Sequence, residues 1–127
     1  MTNRTSSATI LIAGAGIGGL TAALALLRKG FSVRVLEQSH QLGEVGAGLQ
    51  LSANATRALQ LLGVGPAVRA IAAQPEGKEM RLWSTGQTWK LFDLGQHSVE
   101  EYGYPYLMVY RPDLYRVSGR CWTTALR

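Results

Sequence analysis

The sequence predicts an α/β fold seeded by a parallel βαβ unit, and three observations near its start carry that prediction. The run Thr9-Ile10-Leu11-Ile12-Ala13 is apolar, of strand length, and stops at a glycine. That is the pattern of a strand buried on both faces of a parallel sheet. Past the glycine-rich stretch Gly14 to Gly19, residues Ile17, Leu20, Leu24 and Leu27 recur at helical spacing among Ala22, Ala23 and Ala25, which makes one helix face apolar. A second β-prone run, Phe31, Val33, Val35 and Leu36, ends at Glu37, and the whole takes about 30 residues, the size of such a unit.

The remaining elements follow in order. The first helix should stop near Arg28-Lys29-Gly30, where two cations suit the negative helix end and glycine suits the left-handed cap. Residues Gln38 to Gly46 read as a polar loop, and Gly46-Ala47-Gly48-Leu49-Gln50-Leu51 as close-approaching backbone leading into a short strand or turn. Ser52 or Asn54 can cap a helix through Leu62, with Ala55, Leu59 and Leu62 inward and Gly63 as the stop. Pro66 opens another short helix to about Ala73. Glu79–Trp83 and Thr88–Asp93 form a hairpin across Ser84-Thr85-Gly86-Gln87, an insertion starting near Gly77. Its Trp83, Trp89 and Phe92 are expected to pack. Gln96 to Tyr104 is polar without a clear period, Tyr106 to Tyr110 is β-prone, and Pro112-Asp113 starts a helix. Of the run Tyr102, Tyr104, Tyr106 and Tyr110, core or sheet packing is expected before a pocket edge.

Composition narrows the function classes. The chain has 127 residues, 46% hydrophobic and 17% charged, ordinary values for one globular domain or part of one. Met1 to Ser7 reads as a polar tail. Ile10 to Ala13 is too short for a signal sequence, and no run approaches the ~20 apolar residues that cross a bilayer. The net charge of +5 comes from scattered basic residues rather than a cluster interleaved with aromatics, so no nucleic-acid partner is expected. A lone Cys121 suits a reducing, cytoplasmic compartment. With no second Cys or His nearby it suggests neither a metal site nor a nucleophile. His40 and His97 stand alone in polar segments and read as solvated, and Arg57 as a helix-surface cation.

The chemistry lies in Gly14-Ala15-Gly16-Ile17-Gly18-Gly19. Gly14, Gly16 and Gly19 form G-x-G-x-x-G between a strand and a helix, with Glu37 18 residues beyond Gly19. Gly14 permits a tight turn, Gly16 lets backbone approach a pyrophosphate, and Gly19 lets helix and strand pack closely. The helix N-terminus offers amides and a positive dipole to phosphates, and Glu37 can accept hydrogen bonds from ribose hydroxyls. This Rossmann-type pattern implies an ADP moiety, and does not choose between flavin and nicotinamide.

The stretch Gly14 to Leu24, GAGIGGLTAAL, resembles the opening fingerprint of the class A FAD-dependent aromatic-ring monooxygenases. The segment Gly46 to Ala55, GAGLQLSANA, is similar to that family's second cofactor-contacting segment. Tyr110-Arg111-Pro112-Asp113-Leu114 is similar to its His/Tyr-Arg-x-x-Leu helix start. Gln87 to Tyr110 most resembles salicylate-hydroxylase-like and 6-hydroxynicotinate-monooxygenase-like members. The resemblance covers about Thr9 to Val117 and implies a Rossmann-type FAD-binding fold with a β-hairpin insertion. It implies FAD held by Gly14, Ala15, Gly16, Ile17, Gly18, Gly19, Glu37, Gln38, Gly46, Ala47, Gly48 and Arg111. It further implies NAD(P)H as electron donor, O2, and a small aromatic substrate. Another FAD- or NAD(P)-dependent oxidoreductase, or a non-catalytic nucleotide-binding piece, is the alternative.

Two departures matter. Some members carry a histidine base where Gln50 stands, and glutamine cannot act as a base. The family's later motifs and its substrate-pocket sheet are absent, so residues 1–127 read as the N-terminal part of an FAD-binding domain without full activity alone. Ser118 to Arg127 has lost the amphipathic period, as a shifted or truncated reading frame after about Val117 would produce.

Overall fold

A computed structural model describes residues 8–39 and 47–117. They fall into two compact units, residues 8–39 in one and 47–117 in the other. The expectations for Met1–Ser7, His40, Gly46, Cys121 and Ser118–Arg127 lie outside the described residues.

The first unit is the expected βαβ element. Strands β1 (Thr9–Ala13) and β2 (Ser32–Leu36) pair in parallel from Thr9↔Ser32 to Ala13↔Leu36. Helix α1 (Ile17–Arg28) joins them. Its end is closed by two crossed hydrogen bonds, from the Gly30 amide to Leu27 O (2.9 Å) and from the Phe31 amide to Leu26 O (3.1 Å). Gly30 sits at φ +84°, a left-handed conformation that glycine adopts without a steric penalty. Arg28 lies in the last turn, where a cation meets the negative end of the helix dipole. Leu20, Ala23 and Leu24 are buried on the face turned to the strands.

Burial of β1 on both faces is not observed. Ile10, Ile12, Val33 and Val35 are half-buried, while the alternate residues are exposed, Leu11 at 63%. Among the described residues of this unit one helix covers one side of the pair. The run is apolar enough for two covered faces, and a single layer gives it one.

In the second unit, β3 (Gly48–Leu51) and β6 (Leu107–Tyr110) pair antiparallel, Gly48 opposite Tyr110 and Leu51 opposite Leu107. Alternation puts Leu51, Leu107 and Val109 inward. They share a core with Leu59 of α2 (Ala53–Leu61), Val64, Val68 of α3 (Gly65–Arg69), and Leu114 of a helix over residues 111–117. Ser52 stands at the N-cap of α2, as the sequence suggests, but its hydroxyl bonds the Asn54 side chain instead of a helix amide. Thr56 is buried and satisfied: its hydroxyl donates to Pro105 O at 2.8 Å, tying α2 to the approach of β6. Helix α3 stops before the expected Ala73 because the Ala73 backbone exchanges two hydrogen bonds of 2.8 Å with Met108 instead.

The hairpin is present with its first strand two residues early. Strand β4 (Gly77–Arg81) pairs with β5 (Thr88–Asp93) through a bulge at Lys78/Glu79. Leu82 and Trp83 belong to the turn, where the Leu82 amide donates to Gln87 O at 2.8 Å. Trp83, Trp89 and Phe92 do not pack as expected. Residues 78–93 are all exposed, Trp83 at 94%. The polar stretch after it holds a helix the periodicity does not reveal, α4 (Gly95–Tyr102). Its start is anchored by the Leu94 and Gly95 amides on Glu76 O. Its one buried residue, Ser98, donates to Tyr104 O at 2.9 Å.

Leu114→Ala, at a residue only 1% exposed, is expected to cost about 2–5 kcal/mol in urea unfolding, the range for large-to-small core changes. Leu61→Ala, at 66% exposure, should stay within about 0.5 kcal/mol. Equal losses would contradict the core described here.

Candidate functional site

The turn between β1 and α1 is made of backbone, and its three motif glycines have three different reasons. Gly14 sits at φ +96°, where an L side chain is strained. At Gly19 an added Cβ would lie 2.0 Å from Gly14 O and 3.2 Å from Gly14 C. Neither is a flexible side chain that could move away, so helix and turn can approach this closely only without a side chain. Gly16 meets neither constraint. Its φ of −68° and ψ of 177° suit any residue, and a Cβ there meets no described heavy atom within 4 Å. Gly18 likewise faces open space.

Gly16 is also the N-cap of α1. The first helical bond runs from the Leu20 amide to Gly16 O at 3.0 Å, so the amides of Ile17, Gly18 and Gly19 have no helical carbonyl to reach. A 12-residue helix thus starts with no side-chain cap and no acid in its own first turn, over a surface without side chains at positions 16 and 18. An arrangement of this kind is suited to an anion such as a diphosphate.

Glu37 stands at the same turn. The ladder of β1 and β2 continues with the Gly14 amide donating to Leu36 O at 2.6 Å, and the next amide, Ala15, donates to Glu37 Oε2 at 2.6 Å. The Ser39 amide donates to Oε1 at 2.9 Å. These bonds hold the carboxyl below its ordinary range, the Ala15 bond first, then Ser39, against a small opposing effect of desolvation and with a lesser contribution from the Gln38 backbone. Each carboxylate oxygen has a second lone pair, so Glu37 can still accept from a sugar hydroxyl while bound to the turn. Gln38 follows it, exposed.

Of the sites in the other unit, Ala47, Gly48 and Arg111 come together. Gly48 pairs with Tyr110, and the Arg111 amide donates to Ala47 O at 3.3 Å. Arg111 begins the helix over 111–117 with its side chain exposed. A pairing between segments so distant in sequence has no local signal. The sequence also gave no sign of the bond from the Tyr106 hydroxyl to Gln50 Oε1 at 2.5 Å; only the β3–β6 register puts the two on one face. Among the described residues no group of three or more His, Cys, Asp or Glu could hold a metal ion, and no helix is long and apolar enough to cross a membrane.

Residues 12–47 match the NAD(P)-binding Rossmann-like domain family, a span holding the glycine turn, α1 and Glu37. Over 91% of its length the chain is 40% identical to the 3-hydroxybenzoate 6-hydroxylase of Polaromonas naphthalenivorans, of which it covers 29%. Over 86% of its length it is 38% identical to the 6-hydroxynicotinate 3-monooxygenase of Pseudomonas fluorescens, covering 28% of that protein. Klebsiella pneumoniae HpxO, solved with FAD and uric acid, is similar in structure, with a TM-score of 0.73 and 26% identity over 92% of this chain and 29% of that one. The chain thus spans less than a third of the length of each protein.

Glu37 is expected to titrate below its ordinary value of 4.5, with the Ala15 amide signal following it in an NMR titration. A lowered folded-state value means that the carboxylate's contribution to stability is complete above the ordinary value and is lost as pH falls through the lowered one. Glu37→Gln should abolish the acid-range movement of the Ala15 amide. An Ala15 signal already indifferent to acid in the unsubstituted chain would contradict the contact.

Proposed function

We propose, from a chain that is a relative of the flavin-dependent aromatic-ring hydroxylases, that residues 1–127 are the ADP-gripping part of an FAD-binding domain. The observation that carries this reading is Gly16. Neither backbone conformation nor packing asks for a glycine there, and it lies at the uncapped positive end of α1. A diphosphate approaching that end explains both facts. In this reading the backbone of Gly14, Ala15, Gly16, Ile17, Gly18 and Gly19 borders the diphosphate, and Glu37, with Gln38 beside it, accepts the ribose hydroxyls. Gly46, Ala47, Gly48 and Arg111 serve the flavin side, where a guanidinium neutralises phosphate or bonds a flavin carbonyl.

FAD, when bound, supplies the redox chemistry by which O2 is activated and an aromatic ring hydroxylated, with NAD(P)H as the electron source. The residues described here bind and orient the cofactor; none of them is assigned a bond-making step. Hydroxylation of a small aromatic substrate in the cytoplasm is proposed for the whole protein, and this chain alone should not sustain it.

Gly16→Asp separates folding from binding. Aspartate is a favourable N-cap, so the melting temperature of the chain should hold or rise. The added carboxylate repels a diphosphate, and FAD affinity should fall by about tenfold or more, at least 1.4 kcal/mol. Visible flavin absorbance retained on the purified chain measures binding, and NAD+ in parallel tests the nicotinamide alternative. Undiminished FAD binding by Gly16→Asp, or no flavin retained by the unsubstituted chain, would overturn the reading.

A further inference from the structure

Two buried hydroxyls in the second unit act on one short stretch of backbone. Thr56 and Ser98 are the buried polar side chains among the described residues, at 6% and 4% exposure. Thr56 of α2 donates to Pro105 O at 2.8 Å, nearer than the Ala53 carbonyl of its own helix at 3.1 Å. Ser98, the buried residue of α4, donates to Tyr104 O at 2.9 Å. The two acceptors are consecutive carbonyls, so the chain leaving α4 is gripped from both helices. A buried hydroxyl that loses its acceptor costs free energy, so each bond resists a shift of α4 against α2. The clamp fixes Tyr102, in the last turn of α4, against the outer face of α2.

Between those elements runs an open groove of about 500 Å³, lined by Ala53, Asn54, Arg57, Ala58 and Leu61 of α2 and by Tyr102. That volume is in the range of small-molecule sites. Asn54, Arg57, Ala58 and Leu61 fall at i, i+3, i+4 and i+7, so they form one stripe along the helix. The one charge on it is the Arg57 guanidinium. No acid stands three or four residues from Arg57, and no carboxylate lines the groove. Among the described residues Arg57 makes no hydrogen bond or ion pair. Beside this cation lie Leu61, 66% exposed one turn along, and the phenol ring of Tyr102, 64% exposed.

A guanidinium holds a carboxylate through two parallel N–H···O bonds, and aliphatic side chains beside a ring accept an apolar body. The groove thus matches a compact apolar molecule with one negative charge. We propose that it binds a small amphipathic monocarboxylate, with Arg57 taking the carboxylate, Leu61 and Tyr102 covering the apolar body, and the Thr56–Ser98 clamp holding the two walls in place. None of these residues belongs to the proposed cofactor set, and the inference does not depend on that reading.

The test uses the full chain, ¹⁵N-labelled, at neutral pH, titrated with cyclohexanecarboxylate, with the uncharged cyclohexylmethanol and with inorganic phosphate. The Arg57 Nε–H, the Asn54 side-chain NH2 and the Ala58 amide are followed by NMR. The carboxylate is expected to shift them saturably, with a Kd of about 1 mM or below, and to bind about tenfold more tightly than the alcohol or phosphate. Arg57→Gln, at an exposed site, should weaken the carboxylate about tenfold and leave the alcohol unchanged, with the melting temperature held. Thr56→Val keeps every lining side chain and removes one arm of the clamp. It should weaken carboxylate and alcohol alike, by about threefold or more, and Thr56→Ser should restore both. The proposal is overturned if the carboxylate does not saturate by about 10 mM, if the alcohol or phosphate binds as tightly, if Arg57→Gln leaves the preference intact, or if a folded Thr56→Val binds as the unsubstituted chain does. The Arg57→Gln comparison decides even where Thr56→Val does not fold. Flavin absorbance retained by Arg57→Gln should equal that of the unsubstituted chain, so a failure of the cofactor reading and a failure of this one are seen separately.

Discussion

The Ala15–Glu37 hydrogen bond is the contact on which the first unit's arrangement depends. Two successive amides leave the end of β1. The Gly14 amide finds the Leu36 carbonyl and so extends the parallel ladder, and the Ala15 amide finds the Glu37 carboxylate. The acid's place is thus a consequence of register. Ala13 pairs with Leu36, so the next side chain on β2 arrives beside the turn that follows Ala13. A shift of one residue would turn the strand's apolar set to the wrong face and carry the carboxylate away with it. Strand pairing, core packing and the placement of Glu37 are one constraint.

That dependence explains why the first unit could be read from the sequence so closely. Its strand, turn, helix and second strand are contiguous, and each boundary has a local chemical cause: Gly14 at the turn, Gly30 at the helix stop, Glu37 past the last paired residue. The second unit is built by contacts between distant segments, and there the sequence was less informative. Ala47, Gly48 and Arg111 could be proposed separately from a family resemblance, but nothing local says that β3 pairs with β6 or that Ala73 joins them. Helix α4 was illegible for a related reason. It has no apolar stripe; its start is held by Glu76 O and its inner face by a serine bonded to Tyr104 O. Polar anchoring leaves no hydrophobic period to detect.

The failed burial expectations share one origin. Leu11 and Leu36 on the open side of β1–β2, and Trp83, Trp89 and Phe92 on the hairpin, are the residues whose apolar character promised packing that the described residues do not supply. An apolar side chain records that some surface is to be buried; it does not name the partner. The chain spans less than a third of its relatives' length.

The glycine motif shows what coordinates add to a pattern. As letters, Gly14, Gly16 and Gly19 are equivalent, and a turn needed only for folding would conserve space in the same way as one needed for a ligand. In three dimensions they separate. Gly14 answers to backbone conformation and Gly19 to the carbonyl of Gly14, so both would be required in a protein that bound nothing. Gly16 answers to neither. It stands where three helix amides lack helical acceptors and where a capping serine, asparagine or aspartate would have improved the helix in isolation. A helix start left uncapped at the one position where a cap fits without strain gives up some stability. In the proposed reading a diphosphate takes the cap's place and supplies the missing acceptor, so the amides that weaken the helix when alone would be the ones that hold the ligand.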